Sequence, residues 1–121
     1  MAMSCIVTEE KISHIKKVKF EWVSAAEGTA SGTTSNIYSG EIIRLVTIPG
    51  IDAAAPTDNY DVVVNDEDTT DILMGAGVNR DTTATEQVLG SSLGCVANDQ
   101  LSLSIANAGD TKSGTVIVYI K

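Results

Sequence analysis

A single histidine, His14, is the first scarcity in this sequence, and it removes most nucleophilic and metal chemistry. Serine and cysteine hydrolases need an imidazole aimed at an activated nucleophile, and His14 lies beside a basic strand with no such motif near it. Zinc centres draw on clustered Cys and His, whereas Cys5 and Cys95 are the only cysteines and lie far apart in the chain. Gly75-Ala76-Gly77 lacks the spacing and the lysine of a phosphate loop. These absences predict a protein that is not an enzyme and carries no cofactor. Aromatics are scarce too: Phe20, Trp22, Tyr38, Tyr60 and Tyr119 are all there are. The core must therefore be aliphatic, and a sugar-stacking platform has little to build on. No apolar run reaches the length of a membrane-spanning helix, so no membrane partner is expected. No signal-peptide pattern is visible, which predicts thiols kept reduced in a cytosol. Met1-Ala2 reads as a cloning extension before a start at Met3.

What is present is a one-domain length of 121 residues, 43% hydrophobic and rich in Val, Ile and Thr. These β-branched residues favour strands. The formal net charge is −8, which argues against binding to nucleic-acid phosphates. That charge is segregated. The first twenty residues carry +2, through Lys11, Lys16, Lys17 and Lys19, and the remainder carries −10. Such a segment can attract acidic neighbours, including copies of the same chain. The plainer reading is a solvated strand edge guarded by lysines.

Residues 1–10 read as a flexible N-terminal arm, and residues 11–121 as one β-sandwich domain. From 15 to 24, Val18, Phe20 and Trp22 alternate with Lys19 and Glu21, the period of a half-buried strand. Residues 25–36 are small and polar and read as a loop. The run from Ile42 to Ile48 is apolar on both faces, which predicts a central strand or one covered by a partner. Further strands are expected at 60–64, 71–74, 84–89, 101–105 and 114–120. Seven or eight short strands joined by turn-rich loops predict an all-β, antiparallel sandwich or jelly-roll-like domain.

Asp66, Asp68 and Asp71 fall within six residues, and dense carboxylate oxygens can hold calcium. No glycine or terminal glutamate completes an EF-hand loop. A solvated turn that bonds its own backbone is the commoner use of such residues.

The strings Tyr38-Ser39-Gly40-Glu41-Ile42-Ile43-Arg44, Ala55-Pro56-Thr57-Asp58-Asn59-Tyr60-Asp61-Val62, Asp66-Glu67-Asp68, Gly75-Ala76-Gly77-Val78-Asn79-Arg80-Asp81 and Asn107-Ala108-Gly109 carry a resemblance. From about Val18 to Lys121 the chain resembles small all-β virion proteins of tailed double-stranded-DNA bacteriophages. That resemblance implies a head decoration (cement) protein, made in the host cytoplasm and carried on the capsid exterior. It implies a homo-oligomer, commonly a trimer, that clamps neighbouring major capsid proteins. Alternatives are a neck, tail or fibre-associated part, or a host-surface or carbohydrate-binding module. Interface candidates are Lys11, Lys16, Lys17, Lys19, Tyr38, Ile42, Arg44 and Val46, the aromatic and the doubly apolar strand being natural anchors.

Overall fold

The computed structural model describes residues 2–121, so Met1 of the expected cloning extension lies outside the described residues. Nine strands form: β1 (Ser4–Ile12), β2 (Ile15–Val23), β3 (Ala30–Thr33), β4 (Tyr38–Pro49), β5 (Asp61–Asn65), β6 (Glu86–Leu89), β7 (Cys95–Asp99), β8 (Ser102–Ala106) and β9 (Ser113–Ile120). Two single 3-10 turns, Asp52–Ala54 and Gly90–Ser92, are the only helical pieces among the described residues. All strand pairings are antiparallel. A six-stranded sheet runs β1-β2-β9-β4-β6, with β7 also on β4, and a three-stranded sheet runs β3-β8-β5. Together they curl into an all-β half-barrel.

Period-two patterning explains which side chains go inside. Val18, Phe20 and Trp22 of β2 point inward with Val116, Val118 and Ile120 of β9. Leu103 and Ile105 of β8 and Val62 and Val64 of β5 meet them from the smaller sheet in one shared cluster. Fully burying each such aliphatic side chain contributes about 1.5–3 kcal/mol. Gly114 is needed where it stands, because a Cβ there would lie 2.6 Å from Trp22 Cζ2. The Trp22 and Tyr60 rings then pack at 5.7 Å between centroids. Burial pushes the Tyr60 phenol up to about 12. Trp22 Nε1 ends in the interior without a hydrogen-bond partner among the described residues, and the buried Thr47 and Tyr60 hydroxyls lie beside each other.

In β4 a register shift between Ile42 and Arg44 makes Ile43 an extra residue, a β-bulge. It resets the phase, so Ile42 and Leu45 both face the core while Arg44 and Val46 face out. The doubly apolar run is accordingly central, with β9 on one edge and β6 and β7 on the other.

Several expectations are corrected. Ser4–Ile12 is not an arm. It pairs residue for residue with β2, from Ser4↔Val23 to Ile12↔Ile15, and Cys5 and Val7 pack against the core. Cys5 sits over Gly32, where a Cβ would come within 2.5 Å of its sulfur. Residues 71–74 form a turn rather than a strand. Only Asp71 bridges, to Asn65, and the chain then folds back on itself, with Met74 N donating to Asp71 O at 3.1 Å and Ala76 N to Leu73 O at 2.9 Å. Within the expected loop 25–36, Ala30–Thr33 forms β3 because β8 supplies a partner for all four residues.

Candidate interaction surface

Strand parity divides the four N-terminal lysines into two pairs. Lys17 and Lys19 alternate with Val18 and Phe20, so they emerge on the outer face of the large sheet. Lys11 and Lys16 share the inward parity of Glu9 and Val18 near the β1–β2 hairpin tip, Lys16 at the margin of the core opposite the buried Ile120.

The outer face is organised by cross-strand rows. One row reads Glu10, Lys17, Tyr119, Arg44 and Leu89 across β1, β2, β9, β4 and β6. The next reads Thr8, Lys19, Ile117, Val46 and Gln87. Tyr119 lies at the centre. Arg44 Cζ is 5.1 Å and Lys17 Nζ 6.0 Å from its ring centroid. Each such contact is worth about 0.5–1 kcal/mol at an exposed site. Arg44 Nε also donates to Gln87 Oε1 at 3.0 Å, which fixes the guanidinium. Ile117 and Val46 are nearly covered within the row beneath, whereas Leu89 is 75% exposed at the rim. Arg80–Glu86 is the one ion pair within 4.0 Å among the described residues, so Lys17, Lys19 and Arg44 make no such contact, although Glu10 stands opposite Lys17 in the ladder. An aromatic anchored between cations and bordered by apolar side chains has the composition of an interface centre.

Among the interface candidates, Lys17, Lys19, Arg44 and Val46 therefore share this face. Ile42 does not: it is fully buried, because the bulge at Ile43 turns it inward. Tyr38 is also removed from the surface. It is buried, and its hydroxyl donates to Glu9 Oε1 at 2.7 Å. Glu9 accepts two further bonds, from Ser35 N at 3.0 Å and Asn36 N at 3.1 Å. Burial pulls the Glu9 carboxyl upward, but the bonds from Tyr38, Ser35 and Asn36 outweigh it and hold it below the ordinary value. Burial first, then the Glu9 carboxylate, raises the Tyr38 phenol. This clasp fastens β1 to the β3–β4 connection.

Tyr119, Gln87, Leu89 and Glu9 are absent from the sequence-derived candidates. For Tyr119 a signal existed: Val116, Val118 and Ile120 are inward by parity, so the residue between the last two must face out.

The acidic turn after β5 is held by its own backbone. Asp66 Oδ1 accepts from Asp68 N at 2.9 Å and from Thr70 N at 3.0 Å. Asp71 accepts from Leu73 N at 3.0 Å and Gly75 N at 2.9 Å, so its carboxylate caps the following turn. It is not grouped with Asp66 and Asp68, so the candidate calcium trio Asp66, Asp68 and Asp71 is corrected. Asp99 from β7 joins them instead, with carboxylate oxygens within 4.8 Å of one another. Backbone capping accounts for Asp66 and Asp71 without an ion.

Comparison of the chain with protein-family models, curated proteins and solved structures finds no match.

Proposed function

We propose that this chain is a structural protein of a tailed-bacteriophage virion, a decoration (cement) protein that adheres to the outside of the head and bridges major capsid proteins. The fold in this reading is a jelly-roll-like sandwich whose large sheet supplies the adhesive face. The chain acts as a homo-oligomer on the capsid exterior, without catalysis, cofactor, nucleic acid or membrane. One observation carries the reading beyond the sequence resemblance. The outer sheet face centres Tyr119 between Lys17 and Arg44 and, among the described residues, leaves Lys17, Lys19 and Arg44 without an ion pair within 4.0 Å on a protein of net charge −8. Such a face suits a protein surface rich in carboxylates.

Binding to assembled shells that lack the protein tests the proposal. Labelled wild-type chain is expected to coat shells at hundreds of copies, and Tyr119→Ala with Arg44→Glu to abolish coating while folding normally. Labelling confined to one vertex would move the protein to the neck or tail. No binding to any shell, together with saturable binding on a glycan array, would replace the proposal with a carbohydrate-binding module.

A further inference from the structure

Lys11 and Lys16 stand directly opposite each other in the β1–β2 ladder, a like-charge pairing that destabilises a sheet. They are joined by His14 in the turn and by Lys121 after β9. With Ser13 these residues line a depression of about 740 Å³. Among the described residues, no carboxylate side chain lines it. Glu9 and Glu10 border an adjoining groove with these lysines, Glu9 held by the Tyr38 clasp and Glu10 standing opposite Lys17, and Glu41 is paired through its backbone with Lys121. Lys16 Nζ gives one hydrogen bond to Ser39 O at 2.8 Å and has two donors left.

A cluster of the opposite sign joins the turn after β5 to the end of β7, where Asp99 pairs with Tyr38, the neighbour of Ser39. Asp66, Asp68 and Asp99 crowd their carboxylates within 4.8 Å, and among the described residues no cation reaches them within 4.0 Å. Each cluster repels itself and is complementary to the other. Glu67 adds a further charge to that turn, its carboxylate capping Gln100 N.

We propose that the Lys11–Lys16 depression receives the Asp66–Asp68 turn, with Asp99, of a second copy of this chain. The inference rests on the reading of the protein as an oligomeric adhesive, and it names the two surfaces. One patch meets a different patch, so the contact is heterologous and repeats from copy to copy until rotation closes a ring. The Tyr119 face is left free for the shell.

Sedimentation equilibrium of the full chain tests this across salt concentrations. Self-association is expected to weaken as salt rises, because the contacts are exposed ion pairs. Lys11→Glu with Lys16→Glu, or Asp68→Lys with Asp99→Lys, should each weaken it by at least about a hundredfold, since like charges then face each other. Asp66 is left in place because it caps the turn. All four changes in one chain swap the signs at both surfaces and should restore association. Far-ultraviolet circular dichroism checks that each variant is folded, and the salt series on the wild type stands apart from any variant. A wild-type chain that is monomeric at low salt, or association indifferent to both charge reversals, overturns the proposal. Shell binding is measured alongside. A monomer that still coats shells defeats this inference alone, whereas an oligomer that ignores shells defeats the decoration reading alone.

Discussion

Removing the Glu9 carboxylate should destabilise the whole domain, because it fastens an edge strand to the connection beside it. Three donors converge on that carboxylate, and they differ in worth. The bond from the buried Tyr38 hydroxyl is short and charge-assisted, at 2.7 Å, and contributes about 1.5–3 kcal/mol. The amides of Ser35 and Asn36 are exposed, so water replaces the carboxylate there and each contributes only ~0.5 kcal/mol. After screening of a half-exposed group is allowed for, Glu9→Ala is expected to cost about 2–3 kcal/mol. Tyr38→Phe breaks the same principal bond and should cost about 1–2 kcal/mol. The double variant should fall short of the sum by about 1–2 kcal/mol, the coupling of two groups in contact. Urea unfolding followed by the fluorescence of Trp22, the sole tryptophan and 1% exposed, reads all three values. If residues 4–12 were only an arm, Glu9→Ala would stay within ~0.5 kcal/mol of wild type. That result, or strictly additive single effects, would refute the clasp.

The same group sets a pH dependence. Its carboxyl is held below the ordinary value in the fold, so its stabilisation is complete above the unfolded value and lost as pH falls through the folded one. Asp81, lowered by bonds from Thr83 N and Ala84 N, acts in the same direction. Urea midpoints should therefore drop on acidification, and drop less for Glu9→Gln; parallel profiles would count against it. Leu103→Ala, at a fully buried site between the sheets, should cost about 2–5 kcal/mol by thermal or urea unfolding. Gly114→Ala should cost about 1–3 kcal/mol and change Trp22 emission, because the new Cβ meets the indole.

Strands whose apolar residues alternate cleanly were legible in the sequence. β2, β8 and β9 follow from Val18-Phe20-Trp22, Leu103-Ile105 and Val116-Val118-Ile120 alone. Strands created by their neighbours were not. β3 is Ala-Ser-Gly-Thr, with no apolar pattern, and exists because β8 offers it a ladder. β7 buries only Val96, and β1 has Thr8-Glu9-Glu10-Lys11 in its middle and end, a composition that reads as solvated. The interaction face was half legible for the same reason. Period two gives the outward lysines of β2, but the register that sets Lys17, Tyr119 and Arg44 in one row comes from pairing between distant strands. The bulge at Ile43 is a property of the pairing as well, and it sends Ile42 inward.

The place of β9 has a consequence for how the protein is made. Residues 113–120 lie between β2 and β4, each of which bonds to β9 and not to the other. A growing chain on the ribosome can close the β1–β2 hairpin early, since those contacts are local. It cannot close the large sheet until residue 120 has left the exit tunnel. Until then Phe20, Trp22, Ile42 and Leu45 lack the strand that seals them. Folding of the sheet therefore waits for β9 and is dominated by contacts distant in sequence, a topology that folds slowly and passes through exposed strand edges.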